Sequence, residues 1–481
     1  MEEKKHNKSL LEDISMDEAQ VSSLVEKYDA ESRYRRLTGA QGIFISLWLA
    51  AMALFHLYTA GIATMPITIQ RAVHLTFAIV AVFILFPASR KSSKMKTPWY
   101  DWLLAAAAGG VTGYIVFFFN DIARRGAEPI DYEIYLGIAA ILLVLEAGRR
   151  VVGNVLPCMS VIFLLYCYFG NYAPGIFQIR GYSLSRIIQH MYLTPEGIFG
   201  LALGVSATFV IVFIIFGAYL SQSGGAKFFN ELALALAGSK PGGPAKVAVV
   251  ASGLLGTING SSVANVATTG TFTIPLMKKV GYPPYYAGAV EACASTGGQL
   301  MPPIMGAGAF IMSEFLNIPY LSIAAAAIIP ALIYYTAIFT NVHIRARKQK
   351  LQGIPKSELP SVGEVMRNDG HLLVPVIVVI VTLLLKYTPL RAGFIGVVSV
   401  IIVSSLKKNT RMTLRDNFNA LVEGARGGLG VALACALVGF IVGTSSLTSL
   451  GLTISNNIIE ISGGNLMLTL VMAMVACLVL G

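Results

Sequence analysis

The chain has 481 residues, of which 55% are hydrophobic and 13% are charged, and its formal net charge is +11. This composition lies outside the range of soluble globular proteins and predicts an all-α integral membrane protein with many spans. The lysines and arginines are spread over short loops beside apolar stretches, which is typical of membrane topology and argues against a nucleic-acid partner.

The first 40 residues alternate acids and bases and lack the short apolar core of a signal peptide. They predict a cytoplasmic, partly helical arm at 1–40. Basic runs occur in this arm, near Arg90 and at Arg149 with Arg150. By the positive-inside rule they predict a cytoplasmic N-terminus. We therefore expect a multi-pass protein of the cell (inner or plasma) membrane.

Several apolar stretches are long enough, or nearly so, to cross a hydrocarbon core of about 30 Å. They cover residues 42–60, 72–88, 102–119, 134–148, 152–170, 198–221, 319–341, 371–387 and 391–406. The first four predict a separate membrane bundle at 41–150, because the chain from about residue 150 becomes rich in glycine and serine and its helices are interrupted. Residues 181–193 and 226–239 have one polar face and predict helices that lie in the interface and contact lipid.

A polar stretch, GTINGSSVANVATTG at 256–270, follows an apolar stretch at 245–256 that is too short to span. Those 12 residues cover about 18 Å as a helix. Lys278 and Lys279 then mark a return to the basic side. This pattern predicts a re-entrant helical hairpin with its tip near the middle of the membrane.

A second interruption follows at once. Residues 285–295 form half a span, TGGQLMPP at 296–303 breaks it, and 304–316 complete the crossing. Pro302 and Pro303 lack N–H groups and the glycines permit unusual backbone angles. Unwound backbone at membrane depth is costly unless it is buried in protein or lines a cavity, so two adjacent breaks predict a polar site.

Oxygen ligands of this kind suit a monovalent cation such as Na⁺. Half-helix N-termini would in addition attract a carboxylate substrate. The candidate side-chain oxygens belong to Ser261, Ser262, Asn265 and Thr268, and the candidate backbone carbonyls to Thr296, Gly297, Gly298 and Pro302. The alternative is that these small residues only permit close helix packing; the two adjacent breaks with a double proline favour the site.

The stretch LACALVGFIVGTSSLTSLG at 433–451 repeats this pattern: an apolar half-helix, a glycine, then hydroxyl residues at Thr444, Ser445 and Ser446. A long helix from about residue 420 to 441 would place it on the outer side, so we expect an inverted second hairpin. At the spacing of the first unit, the second broken helix would begin next to Gly481. The chain is therefore expected to be truncated within its second repeat.

Two charged residues have alternative interpretations. Glu291 lies in the half-helix before the break, where an acid either tunes the cation site or pairs with a cation across the bundle. Arg426 either meets a substrate carboxylate or extends to lipid headgroups. Asn259, Thr268, Glu291 and Arg426 are the candidate substrate contacts, whereas Arg149 and Arg150 are explained by topology and lipid contact.

The segment GTINGSSVANVATTGTFTIPLMKKVGYPPYYAGAVEACASTGGQLMPPIMGAGAFIM closely resembles the large membrane subunit of TRAP transporters (tripartite ATP-independent periplasmic transporters). The four preceding spans resemble the small membrane subunit fused in front, as in the TAXI branch, so the resemblance runs from about residue 35. It implies a Na⁺-coupled, elevator-type symporter that imports an organic acid delivered by an extracytoplasmic substrate-binding protein. The region at 151–481 would hold transport and scaffold parts with inverted repeats.

The resemblance also implies ion-site roles for particular residues. These are Ser261, Ser262, Asn265, Thr296, Gly297, Gly298 and Pro302, and more loosely Thr444 and Ser445.

Three other functions fit parts of the sequence less well. A stand-alone divalent-anion:Na⁺ symporter would need no binding protein, and the extra four-span bundle favours the first interpretation. An intramembrane enzyme would need an acid, base or nucleophile set, yet the chain has no GxSxG, HExxH or P-loop pattern, so no enzyme is expected. A channel suits sequential interrupted helices less well than alternating access does.

Overall fold

The computed structural model describes residues 33–89 and 92–480, without the side chains of 176, 259 and 476–480. Most of the predicted cytoplasmic arm, and Arg90, lie outside these residues. Within them the regular elements are helices, in agreement with the predicted all-α class.

The first half of the chain forms six long helices. They are α1 (Gly39–Gly61), α2 (Ile67–Leu85), α3 (Trp99–Phe117), α4 (Asp131–Val151), α5 (Val155–Phe169) and α6 (Leu201–Gln222, with a π-helical segment at Ser206–Val210). Shorter helical segments occupy Phe119–Arg124, Leu184–Ile188 and Gln189–Leu193. The predicted interfacial helix at 181–193 is thus present as a helix.

The second half contains both long and interrupted helices. They are α7 (Gly225–Ala237), α8 (Gly243–Asn259), α9 (Ser262–Lys279), α10 (Pro284–Gly297), α11 (Ala307–Leu316), α12 (Tyr320–Lys348), α13 (Val374–Leu384), α14 (Pro389–Ser404), α15 (Leu414–Thr448), α16 (Leu450–Ile461) and α17 (Leu466–Leu480). A short helix at Val362–Asp369 precedes α13.

Eight helical stretches of the described chain are long and apolar enough to cross a membrane. The predicted first span, 42–60, matches α1, and the predicted span 319–341 matches the first part of α12. By contrast, α8, α10 and α11 have 17, 14 and 10 residues. Since a span needs about 20 residues, these are the interrupted elements that the sequence predicts.

The first compact unit comprises the residues to Met65, Ile84–Pro98 and Val205–Val431. In it the α8–α9 hairpin packs on α10 and α12. The contact surface is made mainly of small side chains, among them Ala245, Ala248, Ala287, Ala294 and Ala346, all fully buried. Small residues allow helix backbones to approach closely, which brings the polar residues of the hairpin next to those of the broken helix.

The second unit comprises Pro66–Phe83, Trp99–Gly204 and Ala432–Gly481. Its α3 and α4 are tied by an ion pair in which Arg150 Nη1 lies 2.7 Å from Asp101 Oδ1, and both side chains are buried. Arg150 also bonds to Glu146 at 2.8 Å and lies over the ring of Phe83. The predicted lipid contact of Arg150 is therefore wrong, because its guanidinium group is buried and paired inside the protein; its predicted role in topology stays a prediction. The predicted boundary near residue 150 stays a prediction, because these units follow contacts between helices and not chain order.

The predicted second break is not where the sequence placed it. Residues 414–448 form one continuous 35-residue helix, α15, that includes Thr444, Ser445 and Ser446. The turn comes later, at Ser449 (φ 55°), before α16 begins. Two hydroxyls near this end of the helix bond back to its carbonyls, Ser446 Oγ to Gly443 O (3.2 Å) and Thr448 Oγ1 to Thr444 O (2.7 Å), an arrangement that a helix can accommodate.

Candidate functional site

The tip of the first hairpin is a two-residue turn with a clear local cause. Gly260 takes a left-handed conformation (φ 63°) and its N–H bonds back to Gly256 O at 3.3 Å, which ends α8. Ser261 is extended, and its hydroxyl accepts a hydrogen bond from the N–H of Ala264 (3.3 Å), which starts α9. The unwound part of the polar stretch at 256–270 is thus Gly260 and Ser261, and the predicted hairpin turns there.

The helix break spans residues 298–306 and is ordered by its own hydrogen bonds. Leu300 N donates to Gly297 O at 3.0 Å, and Gly306 N donates to Gln299 O at 2.9 Å. From α12, the Tyr320 hydroxyl donates to the carbonyl of Pro303 at 2.9 Å. The break is therefore where the double proline predicts it, and it is held by its own backbone hydrogen bonds and by Tyr320.

The hairpin tip and the break lie against each other. A methyl group placed at Gly256 would lie 2.6 Å from the Cα of Gly298, and one at Gly260 would lie 2.8 Å from the carbonyl oxygen of Met305. Gln299 Nε2 reaches the Ser262 hydroxyl at 3.4 Å. We call this region the hairpin–break junction; it comprises Gly256, Gly260, Ser262 and Asn265 of the hairpin and residues 298–306 of the break.

Asn265 supplies the junction with an unused oxygen. Its side chain is fully buried, and Nδ2 donates to Ser252 O at 2.8 Å. Its Oδ1 is also buried and has no hydrogen-bond partner within the described residues. Most buried polar atoms have a partner, so an enclosed amide oxygen without one is a ready cation ligand.

Glu291 is the centre of a second polar group, which we call the Glu291 cluster. Its buried carboxylate accepts hydrogen bonds from the hydroxyls of Ser252 (2.7 Å), Ser295 (3.3 Å), Thr269 and Thr273. Within the described chain it forms no ion pair, so its pairing with a cation across the bundle stays a prediction. The carboxylate is also enclosed, which leaves a substrate no access to it in this conformation.

Three of the predicted backbone carbonyl ligands can still bind a cation, although each already accepts a hydrogen bond. The carbonyls of Thr296, Gly297 and Gly298 accept the N–H groups of residues 299, 300 and 301 at 3.1, 3.0 and 3.3 Å. Each carbonyl oxygen has a second lone pair, which remains for a cation. Pro302 instead lines an apolar cavity of about 540 Å³, together with Pro303 and side chains of α8, α12 and α13.

The hydroxyls of Thr268 and Thr296 are exposed and bond to the carbonyls of residues 264 and 292, both at 2.8 Å. Asn259 is the last residue of α8, and its side chain is outside the described set. Arg426 forms an ion pair with Glu423 (2.7 Å) and lies over the ring of Tyr34. The predicted contacts of Asn259, Thr268 and Arg426 with a substrate stay predictions.

Thr444 and Ser445 belong to the second unit. Thr444 is fully buried, and its hydroxyl accepts from Cys167 Sγ at 3.4 Å. The Ser445 hydroxyl accepts from Gly451 N at 3.2 Å, across the turn at Ser449. Their ion-site role stays a prediction, but the pair does lie beside a helix–turn–helix tip.

The sequence did not reveal the ring of hydroxyls around Glu291. One signal was present: Thr269 and Thr273, and likewise Glu291 and Ser295, are four residues apart and so share a helix face. Ser252 and Gln299 had no such signal, because their contacts depend on how α8, α9 and α10 meet.

Short helices that meet at unwound turns, set among apolar spans, define a secondary transporter built from broken helices. The comparison with known families agrees. A profile of the family described as tripartite ATP-independent periplasmic transporter, DctM component, matches residues 139–481, and the chain therefore belongs to this family.

Individual relatives give the same assignment. The C4-dicarboxylate TRAP transporter large permease protein DctM of Pseudomonas aeruginosa is 26% identical over 42% of this chain and 48% of its own length. The 2,3-diketo-L-gulonate TRAP transporter large permease protein YiaN of Escherichia coli is 22% identical over 62% of this chain and 69% of its own. The isethionate TRAP transporter permease protein DctMQ of Oleidesulfovibrio alaskensis is 34% identical over 19% and 14%.

The chain spans about half the length of several curated relatives that it matches. The relatives from Pseudomonas aeruginosa and Escherichia coli are named as transporter permeases, so the expectation of a transport protein and not an enzyme is confirmed.

Proposed function

We propose that this chain is the membrane permease of a Na⁺-coupled importer of an organic acid, fed by an extracytoplasmic substrate-binding protein. The observation that supports Na⁺ most directly is the buried, unpartnered Oδ1 of Asn265 in the hairpin–break junction. A cation bound there would satisfy an atom that otherwise lacks a hydrogen bond, so the site gains from the ion without losing an existing contact.

The ligand chemistry of the junction favours a monovalent cation. Asn265 Oδ1 would act with the free lone pairs of the carbonyls at Thr296, Gly297 and Gly298, and with Ser261 and Ser262 as side-chain neighbours. No group of three or more His, Cys, Asp or Glu residues able to hold a metal lies within the described chain. Neutral oxygens of this kind suit Na⁺ better than a divalent or transition metal.

The proposed substrate is a small organic anion. The names of the relatives refer to C4-dicarboxylates, 2,3-diketo-L-gulonate and isethionate, which are all small organic anions. In this chain the exposed hydroxyl of Thr268 and the side chain of Asn259 are the proposed contacts beside the junction, and Arg426 is a third candidate. Thr444 and Ser445 would contribute to a second ion site.

We also propose a membrane location for the chain and a fused-subunit composition. The chain would lie in the inner (plasma) membrane with its N-terminus in the cytoplasm, as the distribution of basic residues predicts. The bundle at 41–150 would correspond to a fused small subunit of the TAXI type, and the hairpins would move by an elevator mechanism.

Thermal stability of the purified full-length protein tests the Na⁺ site. A ligand that binds only the native state raises stability as its concentration rises, by about 2.7 kcal/mol at 100 times Kd. We expect a higher Tm in Na⁺ than in K⁺ at equal ionic strength, and Asn265→Ala should abolish this difference. Asn409→Ala is the matched control, because Asn409 is exposed and its Nδ2 donates to Asp369 Oδ1 (3.1 Å).

A Tm that is equal in Na⁺ and K⁺ for the wild type would contradict Na⁺ coupling. A sodium-specific shift that persists in Asn265→Ala would place the ion elsewhere. The role of the binding protein needs a separate measurement in proteoliposomes: uptake of a labelled C4-dicarboxylate that proceeds equally well without any binding protein would favour the stand-alone symporter.

A further inference from the structure

The Glu291 cluster contains a buried carboxyl group that has no counter-charge among the residues that the structure describes. Four hydroxyls contact it directly, from Ser252 on α8, Thr269 and Thr273 on α9, and Ser295 one turn along its own helix. An isolated ionised carboxylate in an apolar environment is very costly, and such groups usually become neutral instead. The cluster therefore has to accommodate a neutral acid as well as an anion.

Within the described part of the chain, the elements packed around the carboxylate bring no basic group to it. On α8 the nearest basic side chain in sequence, Lys246, is engaged with His343 Nδ1 at 3.0 Å. From α12 the titratable group facing the cluster is Tyr335, which donates its proton to Ala294 O at 2.9 Å. On α9 the facing residues are the two threonines, which are uncharged.

The hydroxyls can form hydrogen bonds with both the ionised and the protonated carboxyl group, because each carries one proton and can rotate it. Thr269 Oγ1 also lies 2.8 Å from Asn265 O, and Thr273 Oγ1 lies 3.0 Å from Thr269 O. When Glu291 is ionised, both threonines donate to the carboxylate. When it is protonated, a threonine can turn its proton to its helix carbonyl and accept the proton of Glu291.

The direct contacts also argue against a metal ion in this cluster. Ser252 Oγ lies 2.7 Å from the carboxylate and 2.9 Å from Thr269 Oγ1. Oxygens that already touch one another at hydrogen-bond distance leave no gap between them for an ion. A proton needs no such gap, since it lies within the O–H···O contact itself.

We propose that the Glu291 cluster is a proton-binding site, separate from the Asn265 oxygen, so that the transporter binds a proton in addition to its other coupling ion. The proton comes from water, bonds to a carboxylate oxygen of Glu291, and returns to water when the cluster is opened. No bond other than this O–H bond forms or breaks. The inference goes beyond Na⁺ coupling and does not depend on it.

Infrared difference spectroscopy tests this site by comparing the wild type with variants of the purified full-length protein in lipid. A neutral carboxyl group has a carbonyl band that an ionised one lacks. We expect this band in the wild type and its loss in Glu291→Gln, which keeps the size of the side chain and mimics the neutral acid. Glu314→Gln, which removes an exposed acid on α11, should leave the band unchanged.

A second variant tests the same site in case Glu291→Gln does not fold. Thr273→Val keeps the shape of the side chain and removes one hydrogen bond, so the band should persist and shift to higher frequency. A band that Glu291→Gln leaves intact, or its absence at every pH at which the protein stays folded, would overturn the proposal.

The band should be the same in Na⁺ and in K⁺. If it disappears only in Na⁺, the metal ion occupies the cluster and the proton assignment is wrong. The Na⁺ site at Asn265 is judged separately, by the Tm difference between the two salts in the wild type and in Asn265→Ala.

Discussion

Side chains at the junction differ in whether their oxygen atoms already have a hydrogen-bond partner. The Ser261 hydroxyl caps α9 through Ala264 N, whereas Asn265 Oδ1 has no partner among the described residues. Removing an N-terminal cap costs about 1 kcal/mol whether or not an ion binds. Replacing Ser261 would therefore mix loss of a cap with loss of a ligand, and Asn265 is the residue that separates the ion site from local helix stability.

A different kind of residue holds the second unit together. Arg150→Met would leave Asp101 as a buried carboxylate without its arginine, and breaking such a pair costs about 3–5 kcal/mol. We expect a large drop in Tm for Arg150→Met. The double variant Asp101→Leu/Arg150→Met should recover most of it, because neither charge then remains.

The adjacent Arg149 is the matched control for this experiment. Its side chain is 41% exposed and pairs with Glu146 at 2.7 Å. Exposed pairs contribute about 0–1 kcal/mol, so Arg149→Met should change Tm little. Equal losses for Arg149→Met and Arg150→Met would contradict a special role for the buried pair.

At the level of whole helices, two glycines set the distance between α8 and the end of α10. A methyl group at Gly298 would lie 2.4 Å from the Cα of Gly256, which is backbone that cannot move aside alone. We expect Gly298→Ala to destabilise the protein by about 1–3 kcal/mol through overpacking, and to remove the Na⁺-dependent rise in Tm because the junction is pushed apart.

Gly288→Ala provides the comparison on the same helix. Nothing lies within 4 Å of a methyl group there, and alanine favours a helix by up to about 1 kcal/mol over glycine. Its Tm should stay the same or rise. A Gly298→Ala protein as stable and as Na⁺-responsive as the wild type would contradict the close approach of α8 and α10.

Helix breaks could be predicted from prolines and glycines, but not from hydroxyl residues. The double proline located the break at 298–306 to within a few residues. The hydroxyl run from Thr444 to Ser446 was wrongly predicted to end a half-helix, because α15 continues through it to Thr448. Hydroxyl side chains fit inside a helix when they bond back to its carbonyls, as those of Thr268 and Thr269 do in α9.

At the scale of the whole chain, the sequence was sufficient for the class and the family. Apolar stretches predicted most spans, and the segment from Gly256 to Met312 pointed to TRAP transporters, which the family match confirms. Contacts between distant segments were not predictable. The buried pair of Asp101 and Arg150, and the ring around Glu291, each depend on helices that meet only in the folded molecule.

The proposed Na⁺ coupling depends on a sodium ion at the hairpin–break junction, and equilibrium binding of radioactive sodium to the full-length protein tests this directly. We expect saturable binding that unlabelled Na⁺ displaces and K⁺ does not, lost in Asn265→Ala and retained in Asn409→Ala. Binding that does not saturate, or that is the same in Asn265→Ala and the wild type, would contradict the account.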